Sequence, residues 1–254
     1  MNPPNTSDLA RITLCLIFSI GQFFAGAAGF ILGWDENIAS RANAAEVLIS
    51  PATYAFSIWN VIYLGCFVFA VYQALPSQWS NPVFRRMGWA AVVAFAGNTA
   101  WALYVPPFDF DLGSLLIIAC IPASLVIGFV TLPKGVQFPS MPRLVMMPLY
   151  CLAGWGMAAS TVNVMMTLNH EHWWPTSLGQ TSLAVLCLGI GVAVSAVFLW
   201  RTKAVDYLVA VTWALVAIVI ANLDPGGSAF IATLAASAAA ALFGITLVAP
   251  RKAL

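Results

Sequence analysis

The chain has 254 residues, of which 61% are hydrophobic and only 7% charged. A soluble domain carries roughly 25% charge and about 45–50% apolar residues, so too few charges are present to coat a water-soluble surface, and the chain is far too apolar to be disordered. The formal net charge of +1 gives no electrostatic case for nucleic acid as a partner.

An all-α membrane protein with the lipid bilayer as its solvent remains. A spanning helix needs about 20 apolar residues, so this length holds roughly eight transmembrane helices. Run length is the signal, because buried spans are apolar on every side and show little periodicity. Eight segments stand out, at about 10–33, 51–75, 87–106, 112–133, 143–167, 178–200, 204–223 and 228–249. The first apolar run, Ile12 to Trp34, exceeds the roughly 7–15 residues of a signal-peptide core and reads as a retained span. Gly29 and Gly33 form a GxxxG within it, an association signal. Ser50 and Pro51 are suited to open the second span as N-cap and first helical residue. Pro76–Ser77 follows the second span, Pro106–Pro107 ends the third, Pro133 ends the fourth, and Asp224-Pro225-Gly226-Gly227 divides the last two. Ala232, Ala236, Ala240 and Gly244 make a small-residue ladder along the eighth. With the GxxxG, they make a homodimer plausible. The five cysteines lie in apolar runs without metal spacing and read as small buried side chains.

The loop charges alternate. Arg11, Arg85, Arg86, Lys134, Arg143, Arg201, Lys203, Arg251 and Lys252 fall on one side, and Arg41 alone falls on the other. This positive-inside bias predicts cytoplasmic N- and C-termini. The longest outer loop, about 34–50, reads either as a solvated connector or as a cover over a cavity that opens outward.

No ionisable residue is expected at mid-span. That weakens proton-coupled carriers, which keep such groups in the bilayer, and intramembrane hydrolases, which need a nucleophile beside a base. The expected interior polar groups are amides: Gln22, Asn60, Asn98 and Asn163. Each reads either as a helix–helix hydrogen bond or as a fixed polar contact in an apolar pocket. Large aromatics accompany three of them. In the second span, Tyr54, Phe56, Trp59 or Asn60, Tyr63 and Phe67 include an i+3, i+4 stripe. In the third, Asn98 and Trp101 share a face; in the fifth, Trp155, Ala159 and Asn163 do. His170 and His172 stand in the outer loop after the fifth span beside Trp173 and Trp174. Two histidines do not complete a metal site, and the tryptophans fit an interfacial belt.

Three groups of residues resemble the TspO/MBR family, the tryptophan-rich sensory or translocator proteins. Pro51, Phe56, Trp59 and Tyr63 are similar to its second-span signature. Asn98, Trp101 and Pro106 are similar to its third-span motif, and Pro148, Tyr150, Trp155, Ala159 and Asn163 to its fifth-span motif. Phe56 lies three residues before Trp59, where the family spacing is four. The resemblance implies a five-helix core over 1–169 with a cavity beneath the first outer loop, and three additional transmembrane helices over 170–254. It implies a hydrophobic small molecule as partner, a tetrapyrrole- or sterol-like ligand, with no cofactor required. The ligand-binding residues it implies are Tyr54, Phe56, Trp59, Asn60, Tyr63, Asn98, Trp101, Trp155, Ala159 and Asn163. The protein would act as sensor, regulator or carrier. The alternative is a secondary transporter of a small neutral solute, although no sequence repeat relates the two halves.

Overall fold

The structure, a computed structural model, describes residues 4–132 and 143–249. Lys134, Arg251, Lys252 and the expected stop at Pro133 lie outside them. All regular structure among the described residues is helical. Helix α1 (Thr6–Gly26) opens on a capping box between Asn5 and Asp8, and α2 (Ala28–Leu32) stops at Gly33, whose φ of 66° suits glycine. Helix α3 (Ile38–Ala44) lies in the loop that follows α2 and is capped by Asn37. A 3₁₀ turn (Thr53–Ser57) leads into α4 (Ile58–Gln73). Then come α5 (Pro82–Phe108), α6 (Leu112–Val130), α7 (Arg143–His170), α8 (Gly179–Thr202), α9 (Val205–Ala221) and α10 (Ala229–Val248). Seven helical segments among the described residues are long and apolar enough to cross a membrane; α9 is apolar but shorter, at 17 residues. The protein is an all-α, multi-pass membrane protein of about eight spans.

The helices close into two rings. Helices α1, α4, α7, α6 and α5 contact one another in that cyclic order, and α7, α9, α10 and α8 form a second ring. Helix α7 belongs to both. It meets its neighbours where small residues let backbones approach. A Cβ on Gly65 of α4 would collide with the Pro148 ring, and one on Gly154 would fall 2.6 Å from the Tyr207 carbonyl of α9.

Several boundaries differ from the sequence reading. Helix α5 begins at Pro82 because Asn81 accepts from the Val83 amide and Pro82 fits the first turn; Arg85 and Arg86 are therefore helical. It also runs through Pro106 and Pro107 in its last turn. Pro51 does not start a helix. The Ala52 amide donates to the Ala217 carbonyl of α9 at 3.1 Å, which holds this stretch against the second ring. The GxxxG is not a packing motif, because α1 ends at Gly26 and a Cβ on Gly33 would meet nothing within 4 Å. In α10, Ala232 is buried, but Ala236 and Ala240 are exposed, so the ladder faces out of the bundle. No disulfide joins the cysteines; Cys15, Cys66 and Cys187 are buried, while Cys120 is exposed.

At one end of the bundle, Arg11 is fully buried, contrary to its reading as a loop charge. Its guanidinium donates to Gln73 at 2.5 Å and to the Phe84 and Trp79 carbonyls at 3.2 and 3.1 Å. Asp8 lies 3.5 Å from it and takes two hydrogen bonds from Arg85, at 2.9 and 2.7 Å. This network ties α1 to the α4–α5 corner. Arg86 donates to Thr131 at the same end. Arg41 is at the opposite end, on α3.

Candidate ligand-binding site

The site lies at the lid end, where α3 and the 3₁₀ turn close over the junction of the two rings. Arg41 fastens α3. It donates twice to the Pro106 carbonyl, at 3.1 and 3.0 Å, and pairs with Asp109 at 3.2 Å. A second tie joins the loop to α9, where Asn222 donates to the Leu48 carbonyl at 2.8 Å. The loop that carries α3 is therefore a packed cover, and Ala42, Val47 and Ile49 in it are buried.

Beneath it is a cavity of about 40 Å³, lined by Phe56, Trp101, Trp155, Ala159 and Asn163 among others. Ile38 and Ala42 roof it, and Ala214 and Ile218 of α9 close one side. Trp59 packs behind the lining, with ring centroids 5.9 Å from Trp155, 6.3 Å from Trp101 and 5.4 Å from Tyr63, on which it stacks. Phe56 meets Trp155 edge-on at 6.2 Å. Each such pair adds about 0.5–1.5 kcal/mol beyond area burial.

The polar groups around this cluster are incompletely paired. The Asn163 carbonyl oxygen accepts from Ser114 and Thr167, both at 3.1 Å, and its amide nitrogen has no partner. Asn98 donates to Gln22 at 3.1 Å, leaving its own oxygen and the Gln22 nitrogen unpaired. The indole N–H groups of Trp59, Trp101 and Trp155 are buried without acceptors. Elsewhere the indoles of Trp79, Trp174 and Trp213 donate to the carbonyls of Ala74, Gly179 and Ala55. Buried donors normally find partners, so three unpaired indoles in one cluster are a feature of this site.

The sequence-based candidates therefore divide. Phe56, Trp101, Trp155, Ala159 and Asn163 line the cavity, while Trp59, Tyr63 and Asn98 are buried around it. Asn60 is exposed and does not line it. Either Trp59 or Asn60 fits an i+3, i+4 spacing; the buried face of α4 runs through Trp59, Ile62, Tyr63 and Cys66, and Asn60 is one residue off it. Tyr54 is also exposed and packs edge-on against Trp213 at 5.5 Å. His170 lines an outer vestibule of about 210 Å³ with Arg41 and Asp109, which shares Phe110 and Met166 with the cavity below. His172 is exposed in a left-handed turn. Among the described residues, no group of three or more His, Cys, Asp or Glu side chains is placed to hold a metal.

Several contributors escaped the sequence reading. Ser114 and Thr167 were unremarkable apolar-span hydroxyls, and Ala214 and Ile218 lay in spans counted as additional. One signal was present: Ala210, Ala214, Ala217 and Ala221 recur at i, i+4, i+7 and i+11, the spacing of one small-residue helix face.

Comparison with curated proteins and with solved structures returned no match. The family model described as TSPO-like protein matches residues 11–248, so the match continues past residue 169 through all three further helices. The aromatic cluster under the packed α3 loop is thus found in a chain that belongs to the TSPO-like protein family.

Proposed function

We propose that the protein binds a flat, apolar molecule bearing hydrogen-bond acceptors, of the tetrapyrrole or sterol kind, and serves as its sensor, regulator or carrier. The observation that carries this reading is the set of unpaired donors around an apolar cavity: the indoles of Trp59, Trp101 and Trp155 and the amide nitrogen of Asn163. Leaving a buried donor unpaired costs about 1–3 kcal/mol, and a ligand carbonyl or carboxylate would recover it. Aromatic walls supply stacking surface, and the acceptors of a tetrapyrrole rim match several donors at once.

At about 40 Å³ the cavity has room for only a few water-sized groups. A large ligand therefore enters by displacing the tryptophan side chains and lifting α3, which requires the Arg41 ties to open. In this reading both termini are cytoplasmic, because Arg11, Arg85 and Arg86 gather at the end opposite Arg41.

The test is a titration of the purified protein in nanodiscs with protoporphyrin IX, followed by the porphyrin's own absorption so that removing tryptophans does not remove the signal. Saturable binding that weakens about tenfold in Trp101→Phe/Trp155→Phe is expected, corresponding to loss of one or two hydrogen bonds. Equal, non-saturable uptake by both proteins overturns the reading. The small closed cavity favours the second reading, a carrier of a small neutral solute. Counterflow of labelled solute in proteoliposomes, absent in empty vesicles, would support that carrier.

A further inference from the structure

A second cavity, of about 30 Å³, lies in the four-helix ring next to the first. The two share Ala158, Val162, Ala214 and Ile218, so a single layer of side chains separates them. Two of these four residues are alanines, which contribute one methyl group each.

Helix α7 carries the space on both sides. It is the most buried of the long apolar segments, yet Met157 to Thr161 at its middle are all only half-buried. Ala159 lines the first cavity, Met157 and Thr161 line the second, and Ala158 lines both.

The two spaces differ in chemistry. Both walls are apolar, but three residues lining the first, Trp101, Trp155 and Asn163, carry buried donors without partners. The second is lined by Leu188, Val211, Leu215 and other apolar side chains, and its hydroxyls are satisfied. Thr161 donates to the Met157 carbonyl at 2.9 Å, and Ser195 pairs with the Tyr207 hydroxyl at 3.0 Å. Nothing in it asks for a polar partner.

We infer that the ligand is an amphiphile in two parts: a flat, acceptor-bearing head among Trp101, Trp155 and Asn163, and a short hydrocarbon tail that crosses between Ala158 and Ala214 into the second ring. This rests on the ligand-binding reading above and narrows its substrate class. It also gives the second ring a direct role in recognition.

N-alkyl dansylamides, from methyl to octyl, test it. Their naphthalene is flat, their sulfonyl oxygens are acceptors, and dansyl emission reports binding. Affinities are measured in nanodiscs and corrected for partition into protein-free discs. A tail leaving lipid gains no hydrophobic energy, so only the filling of empty space counts. Filling about 30 Å³ at roughly 24 cal/mol per Å³ corresponds to about a threefold gain in affinity. The wild type should bind an intermediate chain length about threefold more tightly than the methyl compound. Val211→Phe, which fills the second cavity only, should abolish that gain and leave methyl binding unchanged. Leu215→Ala, which enlarges the same cavity, should move the preferred chain length upward. A chain-length profile identical in all three proteins, with methyl binding intact, overturns the tail assignment and spares the head site. Failure of the methyl compound to bind the wild type overturns both.

Discussion

Among the described residues of the ring of α1, α4, α5, α6 and α7, eight buried ones carry a side-chain nitrogen or oxygen without a hydrogen-bond partner: Arg11, Gln22, Trp59, Gln73, Asn98, Trp101, Trp155 and Asn163. On α8, α9 and α10 the described residues include none. There, buried polar groups are matched. Ser195 meets Tyr207, and Asn222 donates to Leu48 and Ile218 while its oxygen accepts from the Ser228 amide. Both rings use α7 and share the same lipid surroundings, so the bilayer does not cause the difference. A ring optimised for stability alone would match its donors, as the second ring does. Arg11 and Gln73 belong to the network at the far end of the bundle, whereas the unpaired donors of Trp59, Trp101, Trp155 and Asn163 lie around the cavity, where under the proposed function an incoming acceptor would pair with them.

Substitutions in the two rings should therefore respond differently. The largest loss is expected from Arg11→Met in the first ring. Removing the guanidinium strands Gln73 and two backbone carbonyls and leaves the buried Asp8 with Arg85 and the Asn5 amide. Breaking a buried charge network of this kind costs about 3–5 kcal/mol, read as a lower unfolding midpoint in detergent. An unchanged midpoint would show that the network does not hold α1 in place. Next comes Gly154→Ala at the shared helix. Its methyl would sit 2.6 Å from the Tyr207 carbonyl, so α7 and α9 must part, at about 1–3 kcal/mol. Both cavities should change with it. In the second ring, Tyr207→Phe removes one satisfied hydrogen bond and should cost about 1 kcal/mol with no change in porphyrin affinity. A loss of affinity there would erase the distinction between the rings.

The eight spans could be found from the sequence because bilayer thickness sets the length of an apolar run, and that constraint is local. Their ends were harder to find. Arg85 and Arg86 looked like loop charges, yet long basic side chains reach water from a helix's first turns, so α5 begins before them. Helix α3 was hidden because seven residues with Arg41 among them leave no apolar run. The tryptophans of the site were identifiable by type and spacing. Their pairing state was not, since it depends on which carbonyls other helices bring near: Trp213 finds Ala55, 158 positions away in the chain, and Trp155 finds nothing. The contribution of α9 to the cavity is likewise a long-range contact. The alanine spacing in α9 marks a small face but does not say what lies opposite.

Those two tryptophans give the sharpest comparison, and Trp155→Phe gives the smallest expected change in stability. Trp155→Phe and Trp213→Phe make the same chemical change, a smaller ring and one N–H fewer. For Trp213 the lost N–H donates to the Ala55 carbonyl at 3.0 Å, which keeps the Ile58 amide as a donor, so about 1 kcal/mol should be lost with the hydrogen bond, on top of the ring's packing. For Trp155 the N–H is unpaired, so removing it relieves a desolvation penalty of about the same size, which offsets the void left by the smaller ring. Its unfolding midpoint should stay within about 1 kcal/mol of wild type. Porphyrin affinity should follow the opposite order, weakened in Trp155→Phe and untouched in Trp213→Phe. Equal destabilisation of the two variants would mean that Trp155 has a partner after all, and the donor-rich site would lose its physical basis. Stability kept while affinity falls would mean that the indole is held in reserve for a ligand.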